Sequence, residues 1–221
     1  MTLATTRIVR IAAFNFCLVV VGLANLARLV GGSVRATCAD CPVLSVNPQA
    51  ARPLGRAANG TPCRIRARNG LPLPDPKCTP GAINPTVTLT VVRDRLFRTG
   101  CVRNCSTTQR DRSATYRRYG IQHPKGNSGR NQICELDHLV PLEMGGADTI
   151  ENIWPQCGPT GGTLWQRYFK QKDVVENYLT ALVKSGNMDL AEAQRQIARD
   201  WTQFLDVAKG WCAAHECRGD P

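Results

Sequence analysis

Two short apolar runs, each with a cysteine at its outer end, most constrain what this chain can fold into. The first is Cys134-Glu135-Leu136-Asp137-His138-Leu139-Val140-Pro141-Leu142. Gly145-Gly146 follow, and the second run, Asn152-Ile153-Trp154-Pro155, leads to Cys157. Strand-length apolar segments separated by turn residues read as paired strands, and a Cys134–Cys157 disulfide would staple them together. The first run ends with an acidic residue and a histidine side by side, and an asparagine stands 14 positions beyond the histidine.

Those three residue types at that spacing point to chemistry. A carboxylate can hold a cation, an adjacent imidazole can deprotonate water, and an amide can pin the loop between them. Glu135 reads as a strand residue facing away from the pair, and Glu143 as loop surface.

The charge is uneven. The chain of 221 residues carries a formal net charge of +11, which favours a polyanionic partner. Residues 93–130 hold ten Arg and Lys against two Asp, whereas residues 131–221 hold eight against thirteen Asp and Glu. A basic segment thus adjoins an acidic one that contains the Asp-His pair, a division that suits phosphate binding beside a cation site. A solvated basic face is the alternative.

Arg7 and Arg10 precede an uncharged run over residues 11–27, and small residues at Gly22/Ala24 or Val34/Ala36 fit a signal-peptidase site. Residues 1–36 therefore read as a secretory signal or, if uncleaved, a membrane anchor. Cleavage after Ala36 removes four arginines and no acid, leaving +7, and leaves no stable membrane partner. Ten of the eleven cysteines lie beyond this segment. Such a number after a leader implies disulfides in an oxidising compartment, with Cys63–Cys78, Cys134–Cys157 and Cys212–Cys217 as the favoured local pairings. Zinc held through Cys38-x-x-Cys41 and Cys101-x-x-x-Cys105 is the competing reading.

Nine of fourteen prolines fall between Pro42 and Pro85, so residues 37–85 read as an irregular arm, with compact structure from residue 86 onward. The alternating β-branched residues 86–92 predict a strand, 96–102 another, and 113–119 a short helix ending at Gly120. Leu164, Trp165, Tyr168, Val175, Tyr178, Leu179 and Leu182 predict a helix stopped by Gly186. On it Asp173, Asn177 and Glu176 form a polar side, and Lys172 reads as solvated. Asp189 and Glu192 open a last amphipathic helix. Trp154, Trp165 and Trp201 read as core, and His123 and His215 as surface residues.

Asp137-His138 at a strand end, Gly145-Gly146, Asn152-Ile153-Trp154 and a following polar helix resemble the ββα-metal (His-Me finger) fold of HNH-type endonucleases. The likeness extends to a group of small exported bacterial HNH-like proteins. It runs through Leu73-Pro74-Asp75-Pro76, Cys78-Thr79-Pro80-Gly81, Glu135 to Glu143, Asn152 to Pro155, Lys172-Asp173-x-x-Glu176-Asn177 and Leu190-Ala191-x-Ala193-Gln194, about residues 71–208. The implied fold is α+β, a disulfide-stabilised ββα-metal core with a preceding short β segment and two C-terminal helices, making residues 86–221 the nuclease domain.

By this resemblance His138 is the general base and Asn152 fixes the loop that orients it. Asp137 binds one divalent cation, Mg²⁺ or Mn²⁺ for an all-oxygen donor set, or else only orients His138. The family's last position, a His or Asn on the helix, has no histidine here; Asp173, Glu176 and Asn177 are the candidate further ligands. Arg112, Arg117 or Arg118 would hold the substrate phosphate. The implied activity is endonucleolytic cleavage of DNA or RNA with low sequence specificity, leaving a 5′-phosphate; a cognate inhibitor is a further partner. The alternatives are an inactive module that binds nucleic acid or another polyanion, and a toxin-like effector nuclease.

Overall fold

The structure, a computed structural model, describes residues 62–103, 109–215 and 217. Its first element rests on an Asn-Gly pair. Asn69 (φ 52°) and Gly70 (φ 74°) both take the left-handed conformation that a two-residue hairpin turn requires. They join β1 (Arg66–Arg68) to β2 (Leu71–Leu73), with Arg66 opposite Leu73. Leu71 and Leu73 are buried in the main core, and Trp201 Nε1 donates to Pro72 O at 3.0 Å. Ordered structure therefore begins well before residue 86, and the expected irregular arm supplies core residues. Its prolines do not prevent this, because an extended two-stranded ribbon tolerates them at its edges.

Residues 86–92 do not form the expected strand. Asn84 Oδ1 accepts from the Thr86 backbone N–H at 3.0 Å and from the Thr86 hydroxyl at 2.7 Å, turning the chain. Helix α1 (Leu89–Arg93) then buries Val91 and Val92. Tertiary packing overrides β propensity at this site. Residues 99–102 likewise form a 3₁₀ turn rather than a strand. Helix α2 (Gln109–Arg118) follows and is closed by Gly120 at φ 66°.

The two cysteine-closed runs pair as expected. β3 (Cys134–His138) and β4 (Ile153–Cys157) are antiparallel, with Cys134 opposite Cys157, Leu136 opposite Pro155 and His138 opposite Ile153. Trp165 is exposed rather than core, because residues 164–166 form a separate 3₁₀ turn before the helix proper. Helix α3 (Tyr168–Ser185) buries Phe169, Lys172, Val175, Leu179, Thr180 and Val183, and Gly186 closes it in the left-handed conformation. Asp189 caps α4 (Leu190–Asp200) by accepting from the Glu192 N–H at 3.0 Å. A 3₁₀ turn leads into α5 (Leu205–His215).

The fold is mixed α and β, with two small two-stranded sheets. The main core joins β2, α1, the loop after β3, and the inner faces of α3 and α4. A smaller cluster packs Trp154 against Tyr119, Leu139 and the Cys63–Cys78 bridge. Disulfides Cys63–Cys78, Cys134–Cys157 and Cys212–Cys217 are present. Cys101 is also disulfide-bonded, which removes it as a zinc thiolate; Cys38, Cys41 and Cys105 lie outside the described residues. Among those residues no helix is long and apolar enough to cross a membrane. The leader expected over 1–36 lies outside them.

Candidate active site

Asn152 organises the site. Its side chain is fully buried and accepts from the Val140 N–H at 2.8 Å. Its amide nitrogen donates to Val140 O at 2.8 Å and to Ala147 O at 2.9 Å. One amide thus ties both ends of the loop that joins β3 to β4. Gly146 makes this closure possible: a Cβ there would lie 1.8 Å from Val140 O and 2.7 Å from the Asn152 amide nitrogen. Outer braces come from Asn84 N–H to Gly145 O at 2.8 Å, Ala147 N–H to Ala82 O at 2.9 Å, and Gln194 Nε2 to Met144 O at 2.7 Å.

The loop delivers His138 to Asp148. His138 Nε2 lies 2.7 Å from Asp148 Oδ1, and the imidazole is 13% exposed. With Asp148 ionised, Nε2 carries the proton in this bond and Nδ1 keeps the lone pair, the arrangement a general base needs. Asp148 carries no motif in the sequence. It lies in the loop after Gly146, and folding alone brings it to the ring.

Asp137 is buried and does not touch the imidazole through any described hydrogen bond. Its Oδ2 lies 3.0 Å from Lys172 Nζ. The same ammonium donates to His138 O at 2.6 Å and to Glu176 Oε1. Lys172, expected at the surface, has a side-chain exposure of 0%. Its spacing to Phe169, Val175 and Leu179 already places it on the apolar stripe of α3, a signal outweighed by the usual solvation of lysine. Burial alone would lower the Lys172 pKa, but the carboxylates of Asp137 and Glu176 outweigh it and hold the group above the ordinary lysine value. Burial raises both carboxyls, Glu176 well above its usual range, against the opposing pull of Lys172.

The other predicted ligands turn elsewhere. Asp173 pairs with Lys170 at 2.7 Å, and the Asn177 amide donates to Asp173 O of its own helix at 2.9 Å. Among the described residues no group of three His, Cys, Asp or Glu side chains is placed to hold a metal ion. The chemistry of the donor set agrees. Asp137 and Glu176 converge as metal ligands would, but they converge on an ammonium, which has no lone pair and repels a second cation. As folded, these residues do not fit a divalent ion.

Glu135 is two residues from Asp137 on β3 and so shares its face, contrary to the expectation that it points away. Burial, then the negative charges of Asp137 and Asp173, push its pKa up to about 7. Glu143 accepts from the Thr180 hydroxyl at 2.8 Å. Of the three arginines, Arg112 and Arg117 are exposed on α2. Arg118 instead donates to Ile150 O at 2.9 Å and Cys78 O at 2.6 Å, which commits its guanidinium to the scaffold. His123 packs edge-on against Tyr116, and His215 stacks on Trp211. No protein-family model matches the chain, and no curated protein or solved structure is significantly similar to it.

Proposed function

We propose that this protein is an HNH-type hydrolase that cleaves phosphodiester bonds of nucleic acid, with His138 as the general base. The observation that supports this best is the pairing of His138 Nε2 with Asp148 on a loop fastened by Asn152. Asp148 sets the tautomer and faces the imidazolium that forms after proton transfer, as the acid of a hydrolytic triad does. His138 Nδ1 takes a proton from water, the water oxygen attacks phosphorus, and the P–O3′ bond breaks. The departing 3′ oxygen takes a proton from solvent, leaving a 3′-hydroxyl and a 5′-phosphate, and the imidazolium returns its proton to solvent. The order antiparallel β3, loop, β4, then α3 is the order of a ββα core, and we read these elements as one.

In this proposal Arg112 and Arg117 of α2 meet the phosphate backbone. Nothing in the described chain offers a recognition helix for base edges, so specificity is weak. Disulfides at seven described cysteines suit an oxidising compartment, where we place the activity.

The test is digestion of plasmid DNA and of RNA by the oxidised protein beside His138→Ala. Loss of the base should slow cleavage by about 100-fold or more, and wild-type products should carry 5′-phosphates. Equal cutting by the two proteins would remove His138 from the chemistry. One observation favours a second reading, an inactive nucleic-acid-binding module: an ammonium stands where the family resemblance implies a metal ion. Tight binding of nucleic acid with no cleavage in either Mg²⁺ or EDTA would select it.

A further inference from the structure

We infer that the cation of this site is the ε-ammonium of Lys172 itself, which stands in place of a divalent metal ion between β3 and α3. An ammonium has three N–H donors, and the structure supplies three acceptors. They are His138 O at 2.6 Å, Asp137 Oδ2 at 3.0 Å in an ion pair, and Glu176 Oε1. The side chain is sealed from solvent. Its four-carbon stem lies on the buried face of α3 between Phe169 and Val175, so the group cannot swing out without opening the core.

A divalent ion entering between Asp137 and Glu176 would displace or crowd this charge. Two buried carboxylates cannot neutralise three positive charges in a low-dielectric space. The bond from Lys172 to the His138 carbonyl also fastens the end of β3 to α3. Lys172 is therefore a positioning residue for the imidazole rather than a group that meets substrate.

The identity of the cation does not depend on the reaction. Its consequence, that cleavage persists in EDTA, rests on the hydrolytic role proposed for His138. Metal binding therefore makes the deciding experiment, because it reads the site without any activity. Oxidised wild type, Asp137→Asn, Lys172→Ala and the double variant Lys172→Ala/Asp137→Asn are titrated with Mn²⁺ by calorimetry and melted in millimolar Mn²⁺.

Wild type should show no binding that depends on Asp137 and no Mn²⁺-dependent rise in melting temperature beyond that of Asp137→Asn. Lys172→Ala frees two facing carboxylates and should gain Mn²⁺ binding and a rise of several degrees, both lost in the double variant. Binding of Mn²⁺ by wild type that disappears in Asp137→Asn would overturn the inference, as would a folded Lys172→Ala that binds no metal. Should Lys172→Ala fail to fold, wild type against Asp137→Asn decides alone. If wild type binds no metal at Asp137 yet cuts nothing, the cation assignment stands and the nuclease reading falls.

Discussion

Removing the Asn152 side chain would strip the Val140 N–H and the Val140 and Ala147 carbonyls of their buried partner. Each such loss costs about 1–3 kcal/mol, so Asn152→Ala should lower stability by about 3–5 kcal/mol, readable in a urea melt, even though the residue touches no substrate. Glu135 makes a second prediction, in pH. Its pKa stands at about 7 rather than 4.5 because burial and neighbouring carboxylates disfavour its charge. Between those values the folded chain holds a proton that the unfolded chain has lost, so stability falls as pH rises through this window. The full effect is about 2–3 kcal/mol. Glu135→Gln should remove that slope and melt higher than wild type at pH 8, while a parallel pH dependence in both would refute the assignment. That His138 and Asn152 meet at the two ends of one loop is legible in the sequence, because the paired strand-length runs on either side of the loop bring those ends together. The burial of Lys172 is signalled by its place on the α3 stripe but masked by the usual solvation of lysines. Asp148 had no local signal, since only the closed loop brings it to His138.

At the scale of elements, the loop between β3 and β4 works only if its backbone passes close to itself at Gly146. A methyl group there would meet Val140 O at 1.8 Å, and a backbone carbonyl in a paired loop cannot yield. Gly146→Ala should therefore cost about 4 kcal/mol or more, seen as loss of cooperative melting. Gly120→Ala, which meets open space at φ 66°, should cost only about 1–2 kcal/mol, the penalty of a Cβ in the left-handed conformation. Strands β3 and β4 and helices α3 and α4 were readable because apolar periodicity, glycine stops and an Asp cap agreed with one another. Residues 86–92 are ambiguous because Val87, Val91 and Val92 fit a strand by composition and a helix by spacing, and the packing of Val91 and Val92 into the main core decides. The hairpin at 66–73 was announced by Asn69-Gly70 and hidden by the prolines around it.

At the scale of the molecule, disulfides and charge divide the work. Cys63–Cys78 lies against Trp154 and so backs the strand that carries Asn152 at its start, while Cys134–Cys157 ties the outer ends of the two strands. The basic segment of the sequence leads through α2, which exposes Arg112 and Arg117 and uses Arg118 to hold the loops at Cys78 and Ile150. The three short-range disulfide pairings were legible from proximity along the chain. The partition of the arginines into solvent-facing and scaffold roles was not, because it depends on which backbone carbonyls the fold leaves open. The central claim is that His138, set by Asp148 and a loop tied through Asn152, cleaves phosphodiesters. Its most direct test is the rate at which supercoiled plasmid is nicked by wild type and by His138→Ala, in Mg²⁺ and again in EDTA. The account predicts nicking by wild type in both buffers and a rate lower by about 100-fold or more for the variant; matched rates, or an intact plasmid throughout, would contradict it.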